Sequence, residues 1–304
     1  MKPAPFDYCA PQSIDEALAR LAAAPQAKLL AGGQSLIPML NFRLLATDLL
    51  IDLTGIAELH GILPHGRSVR VGALTTHHEV ETSALIRERF PVMGEVMRHV
   101  AHLAIRNRGT IGGSLVHADP AAEWPLLAVL LQAQLHAVGP NGERAIDAQD
   151  FLLGALTSSL DADEILLRID FPALPRRTAW AFDEVALRAG DFALCAAAVT
   201  LSVGGSRLTG GPRITDARIA LAGVADTAVR VPVAERMIRG QRRLTPELAH
   251  QAACAVRGAI NPNADLHASA DYRRHLCHGL VKRLLEEAQR SCAAPAADDG
   301  GDGH

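Results

Sequence analysis

Two glycine-containing segments constrain the fold of this chain more than any other feature. The first, KLLAGGQSLIPML, runs from Lys28 to Leu40 and joins a short apolar run to a helical pattern through Gly32-Gly33. Glycine has no Cβ, and the first N–H groups of a helix have no partner, so phosphate oxygens could approach the backbone closely here. We expect Ser35 to be the N-cap and Pro38 to lie in the first turn. A structural turn without a ligand accounts for the same residues equally well.

The second segment, RNRGTIGGSLVHADPAAEWP, spans residues 106–125 and favours a ligand. Backbone amides and small hydroxyls could meet an anion at Gly109, Thr110, Gly112, Gly113 and Ser114. Asp119 and Glu123 follow, and their carboxylates could accept hydrogen bonds from sugar or ribityl hydroxyls. Two such sites suit one long ligand with a diphosphate. Neither segment has the GxGxxG pattern of a Rossmann site or the GxxxxGK[ST] pattern of a P-loop.

Charge and hydropathy exclude several classes of protein. The formal net charge of −3 gives no global positive field for nucleic acid or anionic lipid. The N-terminus has no apolar segment typical of a signal peptide, and the longest apolar run is interrupted by Thr200 and Ser202. We therefore expect a cytoplasmic protein, or one that reaches the inner membrane only through partner chains.

The cysteines and histidines do not predict a metal centre. None of the five cysteines lies in a CxxC spacing, which argues against a zinc ribbon, a redox dithiol and an iron–sulfur cluster in this chain. We expect reduced and mostly buried thiols. His77-His78-Glu79 and the pairs His99/His102 and His275/His278 lack a third ligand at a convincing spacing, so we predict solvated or capping histidines.

Hydrophobic periodicity predicts an α+β protein. Ser13, with Glu16 three residues later, predicts a capping box, and Asp119 with Pro120 predicts the start of another helix. AKLLA and DLLIDLTG predict strands on either side of a helix from Leu36 to about Leu44. The predicted divisions are an N-terminal α/β lobe at 1–57, a central lobe at 58–175, a C-terminal α+β domain at 176–292 and a disordered tail at 293–304.

Taken together, the motifs resemble those of a known family. KLLAGGQSLIP and TIGGSLVHADP, in this order, are similar to the two FAD signatures of the molybdenum hydroxylases, the xanthine dehydrogenase and aerobic carbon monoxide dehydrogenase family. The likeness is strongest to the separate medium subunit of the three-subunit bacterial enzymes. It extends over nearly the whole chain and includes FDYCAPQSIDEAL, GALTTHHEVE, DEILLRIDFP, RAGDFAL and IALAGVADTAVR.

The resemblance implies a fold, cofactors and partners. Two lobes, one with a mixed sheet, would grip FAD in the manner of the wider PCMH/vanillyl-alcohol-oxidase fold. A three-stranded sheet with helices, of the carbon monoxide dehydrogenase flavoprotein type, would close over it. Electrons from [2Fe-2S] clusters in a small ferredoxin-like subunit would pass to FAD and then to an external acceptor. Molybdopterin would belong to a large subunit, with two such heterotrimers forming a dimer.

The resemblance also implies cofactor-binding residues and no catalytic residue in this chain. The diphosphate and adenosine side would contact Lys28, Leu29, Leu30, Ala31, Gly32, Gly33, Gln34, Ser35 and Leu36. A second diphosphate contact would come from Gly109, Thr110, Ile111, Gly112, Gly113 and Ser114. The rest of the cofactor would meet Val100, Ala101, Ile105, His117, Asp119, Glu123, Ile165, Leu166, Glu184 and Phe192.

Two departures from the family pattern concern the flavin itself. Some relatives have a lysine where this chain has Glu184, which changes the charge expected beside the ring, and Arg188 is a candidate for compensation. Flavoproteins of the wider fold can attach flavin to a histidine of a GGH loop, and Gln34 takes that place here. We therefore predict non-covalent FAD.

Two other functions stay open. A self-contained FAD oxidase of the same fold would need acid and base groups over the ring. A non-catalytic nucleotide-binding scaffold would be colourless and would not take up FAD. Carbon monoxide, a purine, another N-heterocycle or an aldehyde would all be compatible with this chain, because the molybdenum subunit selects the substrate.

Overall fold

The computed structural model describes residues 2–205 and 211–293, and within these ranges the chain forms three principal sheets. The first is a parallel sheet with the strand order β1-β3-β2, flanked by two helices. Its elements are β1 (Asp7–Cys9), α1 (Ile14–Ala23), β2 (Lys28–Leu30), α2 (Leu36–Asn41) and β3 (Leu49–Asp52). The strands predicted at AKLLA and DLLIDLTG are β2 and β3, whereas β1 adds a strand that the sequence did not predict.

The predicted caps of α1 and α2 are only partly present. The Ser13 hydroxyl accepts a hydrogen bond from the Glu16 amide, but the Glu16 carboxylate accepts from Gln12 N and not from Ser13 N. Ser35 precedes α2 with helical backbone angles, and its side chain makes no capping hydrogen bond. The helix also ends at Asn41, earlier than the predicted Leu44.

The central lobe contains a five-stranded antiparallel sheet with the order β4-β5-β10-β6-β7. The mixed sheet expected from the resemblance is therefore wrong, because every pair in this sheet is antiparallel. Residues Pro140-Asn141-Gly142 are typical of a turn and form the one between β6 and β7, with Gly142 at φ +91°. The strands are β4 (Ile62–His65), β5 (Ser68–Gly72), β6 (Gln134–Gly139), β7 (Gly142–Asp147) and β10 (Ile165–Phe171).

Short helices connect β5 to β6, and one of them begins at Pro91, a residue type that interrupts a helix when it lies in the interior. These helices are α3 (His77–Thr82), α4 (Ala84–Arg89), α5 (Pro91–Met97), α6 (Leu103–Arg106), α7 (Ile111–His117) and α8 (Glu123–Leu131). The prediction that Asp119 caps the last of these is wrong. Asp119 instead accepts a hydrogen bond from Ala121 N in a turn that follows the left-handed residue Ala118, and α8 begins only at Glu123.

The C-terminal domain pairs three long antiparallel strands with three helices. A two-residue edge strand, β14, is added to the predicted three. The strands are β11 (Thr178–Ala186), β12 (Ala193–Gly204), β13 (Arg213–Ala222) and β14 (Val229–Arg230). The helices are α10 (Pro232–Ile238), α11 (Pro246–Ala259) and α12 (Ala270–Ala293).

Smaller elements complete the fold. A 3-10 turn, Ala57–Leu59, precedes β4, and the linker from β7 to β10 contains α9 (Ala148–Phe151), β8 (Leu152–Gly154) and β9 (Thr157–Ser158). Among the described residues, no helix combines the length and apolar character that crossing a bilayer requires. The predicted disordered tail lies outside the described residues apart from residue 293.

Strand β12 explains why residues 193–199 are all apolar. Ala196 and Ala198 face a core that they share with α8, whereas Cys195, Ala197 and Val199 face the core beneath α11 and α12. Side chains alternate between the faces of a strand, so a strand buried on both faces is apolar at every position. This packing fixes the C-terminal domain against the central lobe.

Candidate functional site

The structure brings the two glycine segments into direct contact. A Cβ on Gly32 would overlap the carbonyl of Arg108, and the Cβ position of Gly113 is 3.6 Å from the Ala31 Cβ. Gly32 is therefore required by the close approach of two backbones. Residues distant in the chain thus meet where the N-terminal and central lobes come together, and this region around the two glycine segments is called the cleft below.

The first segment presents unused backbone donors. Within the part of the chain that the structure describes, no group accepts a hydrogen bond from the amides of residues 32–35. Gly33 has a left-handed backbone, with φ +73°, and the Gln34 side chain bends back to donate to the Gly32 carbonyl at 2.9 Å. A series of free N–H groups around a left-handed residue is the kind of concavity that binds anions. The segment therefore fits a diphosphate.

The second segment uses most of its amides within the protein. Ile111 N donates to Thr75 O at 3.0 Å, Gly112 N to Ala73 O at 2.8 Å, and Gly113 N to the Thr110 hydroxyl at 3.1 Å. The Ser114 hydroxyl has no partner among the described residues. The amides of residues 111–113 therefore anchor the start of α7, so a hydroxyl and not a row of amides is left for a ligand.

A buried histidine supports this segment from behind. Trp124 Nε1 donates to His77 Nδ1 at 2.8 Å, and a Cβ on Gly109 would lie 2.7 Å from His77 Nε2. Burial lowers the pKa of His77 to about 4, so the ring is neutral at physiological pH. The prediction of a solvated or capping histidine is wrong at His77, because the ring packs inside the lobe against an indole that is 47 positions away.

Arg106 holds the loop that contains Val100 and Ala101. Its guanidinium donates to the carbonyls of these two residues at 3.1 and 3.0 Å and pairs with Glu81 at 3.1 Å. Ala101 has φ +45°, an uncommon conformation for alanine that these contacts hold in place. The C-terminal domain reaches the same loop, since a Cβ on Gly190 would lie 3.2 Å from the Ala101 carbonyl carbon.

Two buried carboxyl groups and a histidine lie at the junction of the central lobe and the C-terminal domain. Glu123 is only 6% exposed, and burial, together with Glu184 and Asp119, raises its pKa to about 7. The Glu184 side chain is also 6% exposed. Its Oε1 lies 3.4 Å from His99 Nδ1, and its Oε2 has no partner within the described structure. Hydrogen bonding to Glu184 raises the pKa of His99.

The remaining predicted residues lie in different environments. His117 ends α7 and is half-buried, and Phe192 is 59% exposed just before β12. Ile165 and Leu166 are buried in β10, where only their backbone could face a ligand. Arg188 is exposed and forms no ion pair among the described residues, so the structure gives it no contact with Glu184. The edge strand β2 contains Lys28, Leu29 and Leu30, and Leu36 begins α2.

A separate cavity of ≈ 590 Å³ lies on the C-terminal domain and is unrelated to the glycine segments. It is lined by residues of β14, α10 and the end of α11, including Val229, Val233 and Ile260. Arg230 also lines it, but this guanidinium is already paired with buried Glu235 at 2.7 Å. The cleft, and not this cavity, is therefore treated as the candidate site.

Sequence reasoning missed His77, His99, Arg106, Arg108 and Trp124 as parts of the site. Most of their contacts are with residues far away in the sequence, where no short motif can reveal them. Arg106 is the exception, because it contacts the nearby loop at Val100 and Ala101. The clearest available signal was their position within or beside the second glycine segment, where Arg106, Arg108 and Trp124 lie. His77 and His99 gave no signal that distinguished them from surface histidines.

Comparisons with known proteins agree on both halves of the chain. Residues 4–174 match the family described as the FAD binding domain in molybdopterin dehydrogenase. Residues 180–288 match the CO dehydrogenase flavoprotein C-terminal domain.

The alignments with similar proteins cover almost the full length of both chains. The nicotine 6-hydroxylase medium subunit of Paenarthrobacter nicotinovorans is 38% identical, over 95% of this chain and 99% of the relative. A chain of carbon monoxide dehydrogenase from Hydrogenophaga pseudoflava superposes with a TM-score of 0.91 at 37% identity, covering 96% of this chain and 100% of that one. Quinoline 2-oxidoreductase from Pseudomonas putida 86 gives a TM-score of 0.90 at 37% identity, with 97% and 100% covered.

Proposed function

The chain belongs to the family of FAD-binding medium subunits of the molybdenum hydroxylases, and on that basis we propose that it carries electrons within such a complex. It would receive them from [2Fe-2S] clusters of a partner chain and deliver them to an external acceptor. The free amides of residues 32–35, beside the second glycine segment, are the single observation that best supports a diphosphate-bearing cofactor here.

Different residues of the cleft would bind different parts of FAD. The amides of Gly32 to Ser35 would donate to the diphosphate, and the Ser114 hydroxyl would add a contact from the opposite segment. Asp119 and Glu123 would accept hydrogen bonds from ribityl or ribose hydroxyls. The loop at Val100 and Ala101, with Phe192 of the C-terminal domain, would shield the cofactor from water.

FAD supplies the electron chemistry when bound, and the protein supplies position and electrostatics. This chain needs no nucleophile or general base for that role. Glu184 would place a carboxylate where some relatives have a lysine, and His99, whose pKa is raised by this carboxylate, would partly balance its charge. The Gln34 side chain occupies the position of a covalent histidine, and an amide cannot form such a link, so binding would be non-covalent.

We further propose the surroundings of the subunit. A large molybdopterin-binding chain and a small ferredoxin-like chain would complete the heterotrimer, two heterotrimers would form a dimer, and the complex would be cytoplasmic or held at the inner membrane through partners. The relatives include the medium subunit of a nicotine 6-hydroxylase, the medium chain of a carbon monoxide dehydrogenase and a chain of a quinoline 2-oxidoreductase. The first two names agree on a medium subunit and all three differ in substrate, which supports specificity that is set in the molybdenum chain.

We also propose the domain limits 1–57, 58–175 and 176–292. The three principal sheets each fall within one of these ranges. The shared core between β12 and α8 indicates that the last limit separates units that pack firmly together.

FAD retention by variants tests the cofactor assignment. Gly33→Val introduces a branched side chain at φ +73°, and Gly113→Val introduces one beside Thr110, so both should lose most of their FAD. Gly94→Ala on α5 is the matched control, because nothing lies within 4 Å of its Cβ position. Flavin absorbance per chain is measured, with circular dichroism as the test of folding. Normal flavin content in both folded valine variants would contradict the assignment.

Purification from the native host tests the partners. An affinity-tagged chain should recover a large molybdopterin protein and a small iron–sulfur protein in equal amounts. A lone polypeptide whose flavin is reduced by a small organic substrate would instead support the self-contained oxidase.

A further inference from the structure

Three potential metal ligands meet on the surface of the C-terminal domain, away from the flavin cleft. His250 and Cys254 are four residues apart on α11, so they project from the same face of that helix. His278 comes from the neighbouring helix α12. Their ligand atoms all lie within 4.8 Å of one another.

The distances match those of a shared ion. Cys254 Sγ is 3.6 Å from His250 Nε2 and 3.6 Å from His278 Nε2. A tetrahedral zinc ion with bonds of about 2.3 Å to sulfur and about 2.05 Å to nitrogen separates these two ligands by about 3.5 Å. The ring centroids of the two histidines are 5.2 Å apart at 84°, so both rings turn one nitrogen toward the thiol without stacking.

We propose that His250, Cys254 and His278 bind one divalent zinc ion, with water in the fourth position. One thiolate with two imidazoles is a donor set that suits zinc, whereas calcium and magnesium prefer oxygen ligands. His250 and Cys254 are exposed, so an ion enters directly from solvent.

The bound ion would connect two helices of the C-terminal domain. The helices α11 and α12 already share an apolar core that includes Ala252, Val256 and Val281. A bond from each helix to one ion adds a polar connection at the surface above that core. The site is separate from FAD binding, because its ligands lie on α11 and α12 and the cleft is formed by other elements.

Positively charged side chains near His278 oppose the binding of a cation, although the three ligands remain available. Arg257 and Lys282 lie close enough to act electrostatically on His278. These two cations reduce the affinity for any metal, so a thiolate ligand is essential to the site. The competing description is a surface Cys–His cluster held by weak hydrogen bonds without an ion.

Metal titration of the untagged full-length chain tests the proposal. Zinc should bind with one ion per chain in a competition assay, and cobalt should produce the sulfur charge-transfer and tetrahedral ligand-field bands of thiolate ligation. Cys254→Ala should abolish the charge-transfer band, and both Cys254→Ala and His278→Ala should weaken zinc binding by at least about 100-fold. Zinc should raise the thermal midpoint of the wild type and not that of Cys254→Ala.

His275→Ala is the matched control, since His275 is an exposed histidine three residues before His278 on the same helix. It should retain stoichiometric binding and the cobalt spectrum. Binding below one ion per chain, an octahedral cobalt spectrum, or equal loss in His275→Ala would overturn the site. FAD content, measured in the same samples, should be unchanged in all variants, which separates this result from the test of the flavin cleft.

Discussion

Replacing Glu123 with glutamine should change the pH dependence of folding in a calculable way. The carboxyl group has an ordinary pKa of 4.5 and a folded pKa of about 7, mainly because it is buried. The folded chain therefore holds a proton that the unfolded chain loses between these two values. Stability from this group is complete below pH 4.5 and is lost as the pH rises through 7. Glutamine is close in shape to the protonated acid and does not titrate.

The size of the effect follows from the two pKa values. A difference of about 2.5 pKa units at about 1.36 kcal/mol per unit corresponds to about 3 kcal/mol. Integrating the linkage relation places about 2–3 kcal/mol of this between pH 5 and pH 8. Glu123→Gln should therefore gain about that much free energy of unfolding relative to the wild type over this interval. Glu184, Asp119 and His99 are the charged neighbours that modulate the value.

Urea unfolding of the FAD-free chain at pH 5 and pH 8 measures this difference. Working without FAD is necessary, because a ligand that contacts Glu123 would change its pKa. Glu58→Gln, at an exposed position, gives the effect of the same substitution at the surface, expected to stay within about 0.5 kcal/mol. If Glu123→Gln differs from the wild type by the same amount at both pH values, the carboxyl group is not held protonated by its surroundings.

Three further changes test other parts of the site. Trp124→Phe leaves His77 Nδ1 buried without its donor and should cost about 1–3 kcal/mol of stability in urea unfolding, and an unchanged midpoint would argue against that hydrogen bond. Glu184→Lys replaces a buried negative charge with a positive one and should raise the flavin reduction potential, measured by titration against a reference dye; an unchanged potential would place the group away from the ring. Flavin should leave the unfolded chain, since Gln34 offers no covalent link, and a fluorescent flavin band on a denaturing gel would refute this.

The sequence predicted most of the regular structure, because the residues that determine a helix, a turn or a long strand are neighbours in the chain. The turn at Gly142, the helix start at Pro91 and the strands predicted at AKLLA and DLLIDLTG all agree with local signals. Strand β1 was missed because it has only three residues, two of them exposed, and gains its hydrogen bonds from β3, more than forty residues away. No local pattern reports a partner at such a distance.

The residues of the candidate site also fall into those that the sequence could identify and those that it could not. The glycines could be identified because close backbone approach and positive φ values restrict the residue type at Gly32 and Gly33. The group formed by Glu123, Glu184 and the half-buried His99 could not be identified, because its members come from three separate segments and each resembles a surface residue in sequence. The same reason hid the grouping of Cys254 with histidines from two helices.

The two glycine segments resemble each other in sequence but differ in role: the first leaves amides free, whereas the second uses its amides within the protein. Loss of FAD therefore has a different meaning for a variant in each segment. Gly112 lies where a Cβ would be 2.6 Å from Ala73 O, and its amide already bonds that carbonyl. A side chain at Gly112 would disrupt the contact between α7 and the end of β5, whether or not a ligand is bound. Gly33 has only side-chain atoms near its Cβ position, and its amide donates to no group among the described residues. Its φ of +73° strains any other residue, so loss of FAD by a Gly33 variant reports on the loop conformation that presents the free amides, whereas loss by a Gly112 variant reports first on the contact between α7 and the end of β5.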